Sequence, residues 1–337
     1  MVYPYDCMQR ASAQKVPAMN ATSLTAALKE ESLRLGFDLV GATPAVATPS
    51  FDRFRQWLAA GYAGQMRYLA DRLGAYRHPR QLLEGAKSVL MLATNYRTVE
   101  PVEPRPGQAR VSRYAWGADY HEVIRRRLHA LADFHRLLVP TAGVRGVVDT
   151  APLLEREFGQ LAGLGWIGKN TMLIHPQLGS WFFLAALLST ELLDYDEPSG
   201  AGHCGSCRRC LDACPTGALV EPYRLDARKC ISYLTVELRD PVPAELRGAC
   251  GGRLFGCDAC QEACPWNRHT PANAEPAFQP GPGMNPVGLA DLVTLDDETF
   301  RSRFRHTPLW RAKRAGILRN AEIAGRQQSP EVSQNDR

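Results

Sequence analysis

The chain has no uncharged apolar run of about 18 residues, so its sequence encodes no membrane-crossing helix. Its longest apolar run, 181–188, has the length of a buried strand or short buried helix. The N-terminus lacks the apolar core of a secretory signal, and Arg10 has no second arginine beside it. Residues 1–21 therefore read as a disordered extension, and the protein is expected to be cytoplasmic. Cysteine is nearly absent outside one stretch: nine of the ten lie between Cys204 and Cys264. Such crowding at C-x-x-C and C-x-x-x-C spacings, in an intracellular chain, argues against disulfides and for metal or cluster ligation. What remains is ordinary. The 337 residues, 45% hydrophobic, suffice for a buried core and about two domains. A net charge of +5 is only a mild pull toward a polyanionic partner.

Ahead of the cysteines the pattern alternates. Helical spacing covers 22–35, 51–60, 119–138 and 152–161, and strand-like runs cover 37–42, 88–93 and 144–148. This predicts an α+β domain over 22–198. Pro198 and Gly200 mark a boundary, and 199–270 form a cysteine module. A linker and basic C-terminal segment follow over 271–326, its first part, 271–296, rich in Pro and Gly and legible as a linker or a wrapped loop. Residues 327–337 read as a frayed tail. The doubled cysteine motif is the one internal repeat.

The first motif, Cys204-x2-Cys207-x2-Cys210-x3-Cys214-Pro215, is the bacterial ferredoxin run. Three thiolates on a tight loop cap three corners of a cubane, and the fourth ligates the neighbouring cluster. The second motif, Cys257-x2-Cys260-x3-Cys264-Pro265, is one cysteine short, because Leu254 stands where the first would be. Its missing ligand must come from elsewhere, and Cys230 and Cys250 are the candidates. Cys204, Cys207, Cys210 and Cys264 are then expected on one [4Fe–4S] cluster, and Cys214, Cys257 and Cys260 with one of those two on another. Paired C-x-x-C motifs also build structural zinc sites. The repeated Cys-Pro ends and the interlocked halves set zinc aside.

Several other signals carry less. Gly163, Gly165 and Gly168 match G-x-G-x-x-G, but a helical pattern precedes them and a strand-like one follows, the reverse of a dinucleotide fold. Asn170 stands where a P-loop needs Ser or Thr. His121, His135, His175 and His203 have no metal-ligand spacing, and Asp119 at a helix start reads as a cap. Asp149 follows an apolar strand, which suits either an active-site acid or a cap for the next helix. Residues 301–326 hold eight basic side chains against Glu322 alone, a pattern for phosphate contacts or for a solvated face.

Longer blocks resemble one family. Ser112 to His121 (SRYAWGADYH), Val148 to Arg156 (VDTAPLLER), Gly165 to Thr171 (GWIGKNT), Cys230 to Thr235 (CISYLT), Gly256 to Asn267 (GCDACQEACPWN), Thr307 to Leu309 (TPL) and Arg319-Asn320 resemble the epoxyqueuosine reductases, over about residues 23–324. The resemblance implies a nitroreductase-like cobalamin-binding domain followed by a ferredoxin-like module with two [4Fe–4S] clusters. It implies Cys230 as the eighth ligand and Asp149 as the general acid. The implied reaction is reduction of epoxyqueuosine in the anticodon region of tRNA to queuosine, the last step of queuosine formation. Cobalamin contacts are expected at Arg72, Ser112, Asp149, Lys169, Asn170 and Thr171, with Ser112 near the upper face of the ring. No D-x-H-x-x-G motif offers cobalt a lower ligand. Reduced cobalt is expected to attack or reduce the epoxide carbon while Asp149 protonates the departing oxygen, which requires burial to raise its pKa. The chain is expected to act as a monomer, fed by a low-potential donor such as a flavodoxin or ferredoxin. Many members continue into a helical-repeat domain. Here about a dozen polar residues follow Ala324, so tRNA binding is expected to rest on the core and the basic segment. The alternatives are a reductive dehalogenase-like enzyme acting on a small molecule and a cluster-bearing electron carrier.

Overall fold

The computed structural model describes residues 19–200 and 202–326. Most of the expected N-terminal extension and the whole expected tail, 327–337, lie outside the described residues. The extension drawn to residue 21 reaches too far, because the Asn20 side chain accepts the Ser23 N–H at 2.8 Å and opens a helix at Ala21–Arg34. Among the described residues no helix is long and apolar enough to cross a membrane.

The strands are β1 (Leu39–Pro44), β2 (Ser88–Asn95), β3 (Gln108–Val111), β4 (Val144–Val147), β5 (Trp166–Ile167), β6 (Leu173–Ile174), β7 (Phe182–Ser189), β8 (Leu219–Glu221), β9 (Arg224–Leu225), β10 (Arg253–Phe255) and β11 (Val287–Gly288). An antiparallel sheet runs in the order β1-β2-β7-β4. Every residue of β2 is buried, because side chains alternate between two covered faces. Leu90 and Leu92 meet helices Ala21–Arg34 and Tyr120–Leu138 through Leu24, Leu28, Ile124, Leu128 and Leu131. Val89 and Met91 meet helix Glu155–Leu161 through Phe158. The run 181–188 is thus essentially the central strand β7. The helix expected from residue 152 starts three residues later. Ala151 precedes a proline and is biased toward extended backbone, and the Leu153 N–H turns back onto the Ala151 carbonyl at 2.8 Å.

The linear division of the chain is crossed at one place. β3, from the first half, pairs in parallel with β10 of the cysteine module and antiparallel with β11 of the C-terminal segment. Around this small sheet Ala109, Trp116, Phe255, Val287, Leu292, Phe304 and Ile317 form a second core. The stretch 271–296 is accordingly a wrapped segment with buried Phe278, Met284 and Val287 rather than a free linker. Helix Lys313–Arg326 closes this core, and its Asn320 amide donates to the Thr235 and Leu254 carbonyls at 2.8 and 2.9 Å. The G-x-G-x-x-G run lies on the β5–β6 hairpin. Gly165, at φ +148°, leaves no room for a Cβ, which would sit 2.1 Å from the Ile174 carbonyl oxygen.

Candidate active site and cluster-binding cysteines

Two centres sit on either side of the packed junction between the two cores. The first is built on the turn after β4. Asp149 adopts φ +50°, a left-handed conformation that costs a non-glycine residue about 1 kcal/mol or more. Two groups hold the turn: Glu155 accepts the Asp149 backbone N–H at 2.8 Å, and the Arg72 guanidinium donates to the Thr150 carbonyl at 3.0 Å. The Asp149 carboxylate accepts the Tyr120 hydroxyl at 2.9 Å and lies 3.1 Å from His121 Nε2. It caps no helix, since helix Glu155–Leu161 has Leu154 at its N-cap. The Asp149 side chain stays 59% exposed, so it can still meet a bound molecule.

His121 is gripped from both sides, with Nδ1 2.7 Å from the Asp119 carboxylate and Nε2 against Asp149. Burial pulls its pKa down, but the two carboxylates outweigh this and push it up to about 9. For Asp149 burial acts upward, and the bonds from His121 and Tyr120 more than offset it, holding the carboxyl below its ordinary value. At neutral pH the proton therefore sits on His121 and not on Asp149. The expectation that burial raises Asp149 is corrected here: the histidine beside it decides the balance. The neighbouring Glu155 goes the other way, pushed up to about 8 by burial and then by the Asp149 charge. Asp119 is indeed the N-cap of helix Tyr120–Leu138, accepting the His121 N–H at 3.0 Å, and it orients His121 as well. His121, Tyr120 and Glu155 were missed by the sequence reading. The usable signal was Asp119-x-His121 at a helix start, which presents a carboxylate to the ring two residues on.

The second centre is the cysteine module. One pocket is lined jointly by Cys204, Cys207, Cys210 and Cys264, with Lys169, Arg209 and Trp266. Burial raises the Cys210 thiol, and Cys264 and Cys204 then add to it. The second group is Cys214, Cys230, Cys257 and Cys260. Burial pushes Cys257 up to about 11, with Cys230 among its neighbours, and raises Cys260 further, followed by the charges of Cys230, Cys257 and Cys214. Each motif thus sends its last cysteine to the other group. Cys250 is buried in the same apolar cluster as Cys230 and Cys257, with Ile231 and Leu234, and its charged neighbours are Arg253 and Arg319. Cys7 lies outside the described residues.

Four thiols converging in each of two adjacent groups suit two cubanes. A further feature fits. The Trp166 indole N–H is buried without a partner, and Trp166 packs with Cys264. An unmet buried donor costs about 1–3 kcal/mol unless something accepts it, and a cluster sulfur beside Cys264 is an acceptor of that kind.

The remaining expected contacts divide between the centres. Arg72 lies beside Asp149. Ser112 is buried, and its hydroxyl donates to the Asp258 carboxylate inside the second cysteine motif. Lys169 Nζ donates to the Gly205 and Cys207 carbonyls at 2.6 and 3.0 Å, and the Asn170 amide points to the Cys260 carbonyl at 3.4 Å. Both side chains hold cysteine loops. Thr171 takes φ +65°, and its carbonyl accepts from Arg156 at 3.1 Å. A row of rings joins the centres: Tyr120, bonded to Asp149, meets Tyr114 at 6.3 Å, and Tyr114 meets Phe255 at 6.1 Å, two residues before Cys257. Tyr114 feels the charges of both Asp149 and Asp258, the residue after Cys257, so the group containing Cys257 is called the inner one.

The basic segment is partly consumed by the fold. Arg319 donates to the Leu234, Leu238 and Asp240 carbonyls, and Arg314 donates to the Leu295 carbonyl. Arg311 pairs with Glu237 at 3.0 Å and lies close enough to Asp149 to help lower its pKa. Arg301, Arg305 and Arg326 are exposed.

Comparison with known proteins matches residues 203–267 to the 4Fe-4S double cluster binding domain and residues 77–150 to the family described as Epoxyqueuosine reductase QueG, DUF1730. An epoxyqueuosine reductase of Pseudomonas aeruginosa is 41% identical over 304 residues, 89% of this chain and 84% of the relative. One from Escherichia coli is 38% identical over 312 residues, 91% and 82% of the two chains. Among solved structures, an epoxyqueuosine reductase with a tRNA-Tyr epoxyqueuosine-modified stem loop superposes with a TM-score of 0.87 at 33% identity, covering 92% of this chain and 82% of that one. A Bacillus subtilis epoxyqueuosine reductase, with its catalytic loop swung out of the active site, gives 0.86 at 32% identity, covering 92% and 82%.

Proposed function

The chain belongs to the epoxyqueuosine reductase family, and on that premise we propose that it reduces epoxyqueuosine in tRNA to queuosine, with Asp149 as the acid and His121 as the group that keeps it supplied with a proton. The carrying observation is the Asp149 carboxylate, solvent-reachable on a strained turn, bonded to His121 and Tyr120 and joined by a row of rings to the inner cysteine group. Neither a small-molecule dehalogenase nor a plain electron carrier is favoured by relatives at 38–41% identity that are all epoxyqueuosine reductases.

The reaction converts an epoxide, two electrons and two protons into an alkene and water. Cys204, Cys207, Cys210 and Cys264 hold one [4Fe–4S] cluster, and Cys214, Cys230, Cys257 and Cys260 hold the other. Cobalamin contacts are proposed at Arg72, Ser112, Asp149, Lys169, Asn170 and Thr171. When bound, the clusters supply low-potential electrons and cobalamin the low-valent metal that the carbon–oxygen bond requires. The protein's own part is proton control. His121 carries the proton at Nε2, 3.1 Å from the Asp149 carboxylate. As negative charge develops on the departing oxygen, the Asp149 carboxylate takes the His121 proton and relays it to that oxygen. Asp119 holds the imidazolium in place throughout. Glu155, with its raised pKa, keeps a second proton next to the turn. The exposed Arg301, Arg305 and Arg326 are the proposed contacts for tRNA phosphates. A low-potential flavodoxin or ferredoxin is the proposed donor, and the chain is proposed to work as a monomer in the cytoplasm.

The test is anaerobic turnover of tRNA bearing epoxyqueuosine, with clusters and cobalamin reconstituted and a chemical reductant supplied. Mass spectrometry of the nucleosides is expected to show cobalamin-dependent loss of one oxygen. Intact clusters and bound corrinoid without conversion would overturn the assignment.

A further inference from the structure

The two cysteine groups differ in the charges around them. The outer group, Cys204, Cys207, Cys210 and Cys264, lines a pocket with residues from three stretches, 169–174, 203–210 and 264–266. Lys169, Arg208 and Arg209 are the charged residues of those stretches, and Arg268 lies just beyond, as do Asp212 and Glu262. The first motif's loop is exposed on both sides of its cysteines, at Gly202, His203, Gly205, Ser206, Arg208 and Arg209. Arg208 keeps 65% of its side chain in solvent, and Arg268 and His269 are exposed as well. Lys169 cannot swing away, because two loop carbonyls hold its ammonium. The carboxylates at the edges of this face leave the excess intact. Asp212 pairs with Arg208 and Glu262 with Arg110, each at 3.7 Å, which leaves Lys169, Arg209 and Arg268 without a carboxylate partner among the described residues. The inner group is surrounded differently. Asp258 is buried beside it, and its Cys230 and Cys257 pack against Trp57, Met66, Ile231 and Tyr233.

We infer that the basic face over the outer cysteine group is the docking surface for a small acidic electron-carrier protein, and that electrons enter this protein there. The inference rests on the cluster reading given above. A soluble low-potential carrier must bring its redox group close to a cluster, and three of the four outer cysteines, Cys204, Cys207 and Cys210, lie on one short loop with exposed residues between them. A positively charged rim steers a negatively charged partner and speeds its encounter by roughly 10-fold or more, an effect that salt screens. Each docked carrier gives up one electron and leaves oxidised. Two dockings supply the two electrons that, with two protons, turn the epoxide oxygen into water. The inner group is then the step between this face and Asp149.

The test uses the full chain with both clusters loaded. Arg208→Glu/Arg268→Glu is compared with the wild type and with Arg208→Lys/Arg268→Lys. Cluster bleaching is followed after mixing with reduced flavodoxin of net negative charge, and separately with photoreduced deazariboflavin, a small uncharged reductant. The charge-reversed variant is expected to react at least roughly 10-fold more slowly with flavodoxin and normally with deazariboflavin. The lysine variant is expected to keep the wild-type rate, and the wild-type rate to fall with salt while the reversed variant's stays flat. Equal flavodoxin rates in all three proteins would overturn the inference. So would weakened binding of tRNA to the reversed variant with flavodoxin reduction untouched, which would give the face to the nucleic acid. Bleaching is read without tRNA, so a failure of the epoxide reaction leaves this outcome readable.

Discussion

The cysteine module and the Asp149 turn reach their chemistry by opposite routes. In the module, seven of the eight proposed ligands come from two short motifs whose spacing alone sets the geometry of three thiols on a loop. At Asp149 nothing is local. His121 and Tyr120 arrive from the start of one helix, Glu155 from another, Arg72 from the end of a short helix well before both, and Arg311 from the C-terminal part of the chain. Electron transfer tolerates a ligand set defined by a repeat, because the cluster carries its own electronic structure. Proton delivery needs a balance of charges, and that balance exists only once distant segments have packed.

Breaking the module should have the largest effect. Cys230→Ala is expected to lower iron by about half and abolish turnover, whereas Cys250→Ala keeps full iron and activity. Iron analysis decides this, and an iron-deficient Cys250→Ala protein would reverse the assignment. Asp149→Asn comes next, with turnover down by about 10²–10⁴-fold and iron and corrinoid content unchanged. A variant that turns over at the wild-type rate would remove Asp149 from the acid role.

The proton balance sharpens the contrast further. Both His121 and Glu155 have raised pKa values in the folded protein, about 9 and about 8. Protonation of such groups favours the folded state, so their contribution is full below the unfolded values, roughly 6.5 for His and 4.3 for Glu, and is lost as pH rises through about 8 to 9. Turnover and melting temperature are both expected to fall over that alkaline window. In His121→Phe the alkaline limb should lose its upper component, and turnover at neutral pH should drop by roughly 10-fold or more. An unchanged pH profile would place the proton elsewhere. The smallest effect is expected at Trp166. Its unmet N–H, if it meets a cluster sulfur, stabilises the reduced, more negative cluster. Trp166→Phe should therefore lower the potential of the outer cluster in a redox titration followed by EPR, with iron content intact. No shift would leave the N–H unexplained.

Much of the fold was legible because it rests on short-range patterns. Helices Tyr120–Leu138 and Phe51–Ala59, strand β2 and the buried run around β7 follow from periodicity. The boundary at 198 was less informative, since β3 leaves the first half to pair with β10 and β11, and sequence spacing carries no record of that pairing. Lys169 and Asn170 were legible as important but not as to purpose. Their motif reads like a ligand loop, whereas their side chains hold cysteine loops about 36 and 90 residues away.

By itself the sequence determined which chemistry the chain can carry: thiolates at cubane spacing, an acid at a strand end, and family blocks specific enough to name the reaction. Those are properties of residue identity and near-neighbour spacing, which survive in one dimension. Only the tertiary structure decided where the protons rest and where the charges face. His121 outcompetes Asp149 for a proton because Asp119 grips it from behind, and the outer cysteines carry a basic rim because three separate segments converge there. Electrostatic energy depends on distance in space, and folding is what sets those distances.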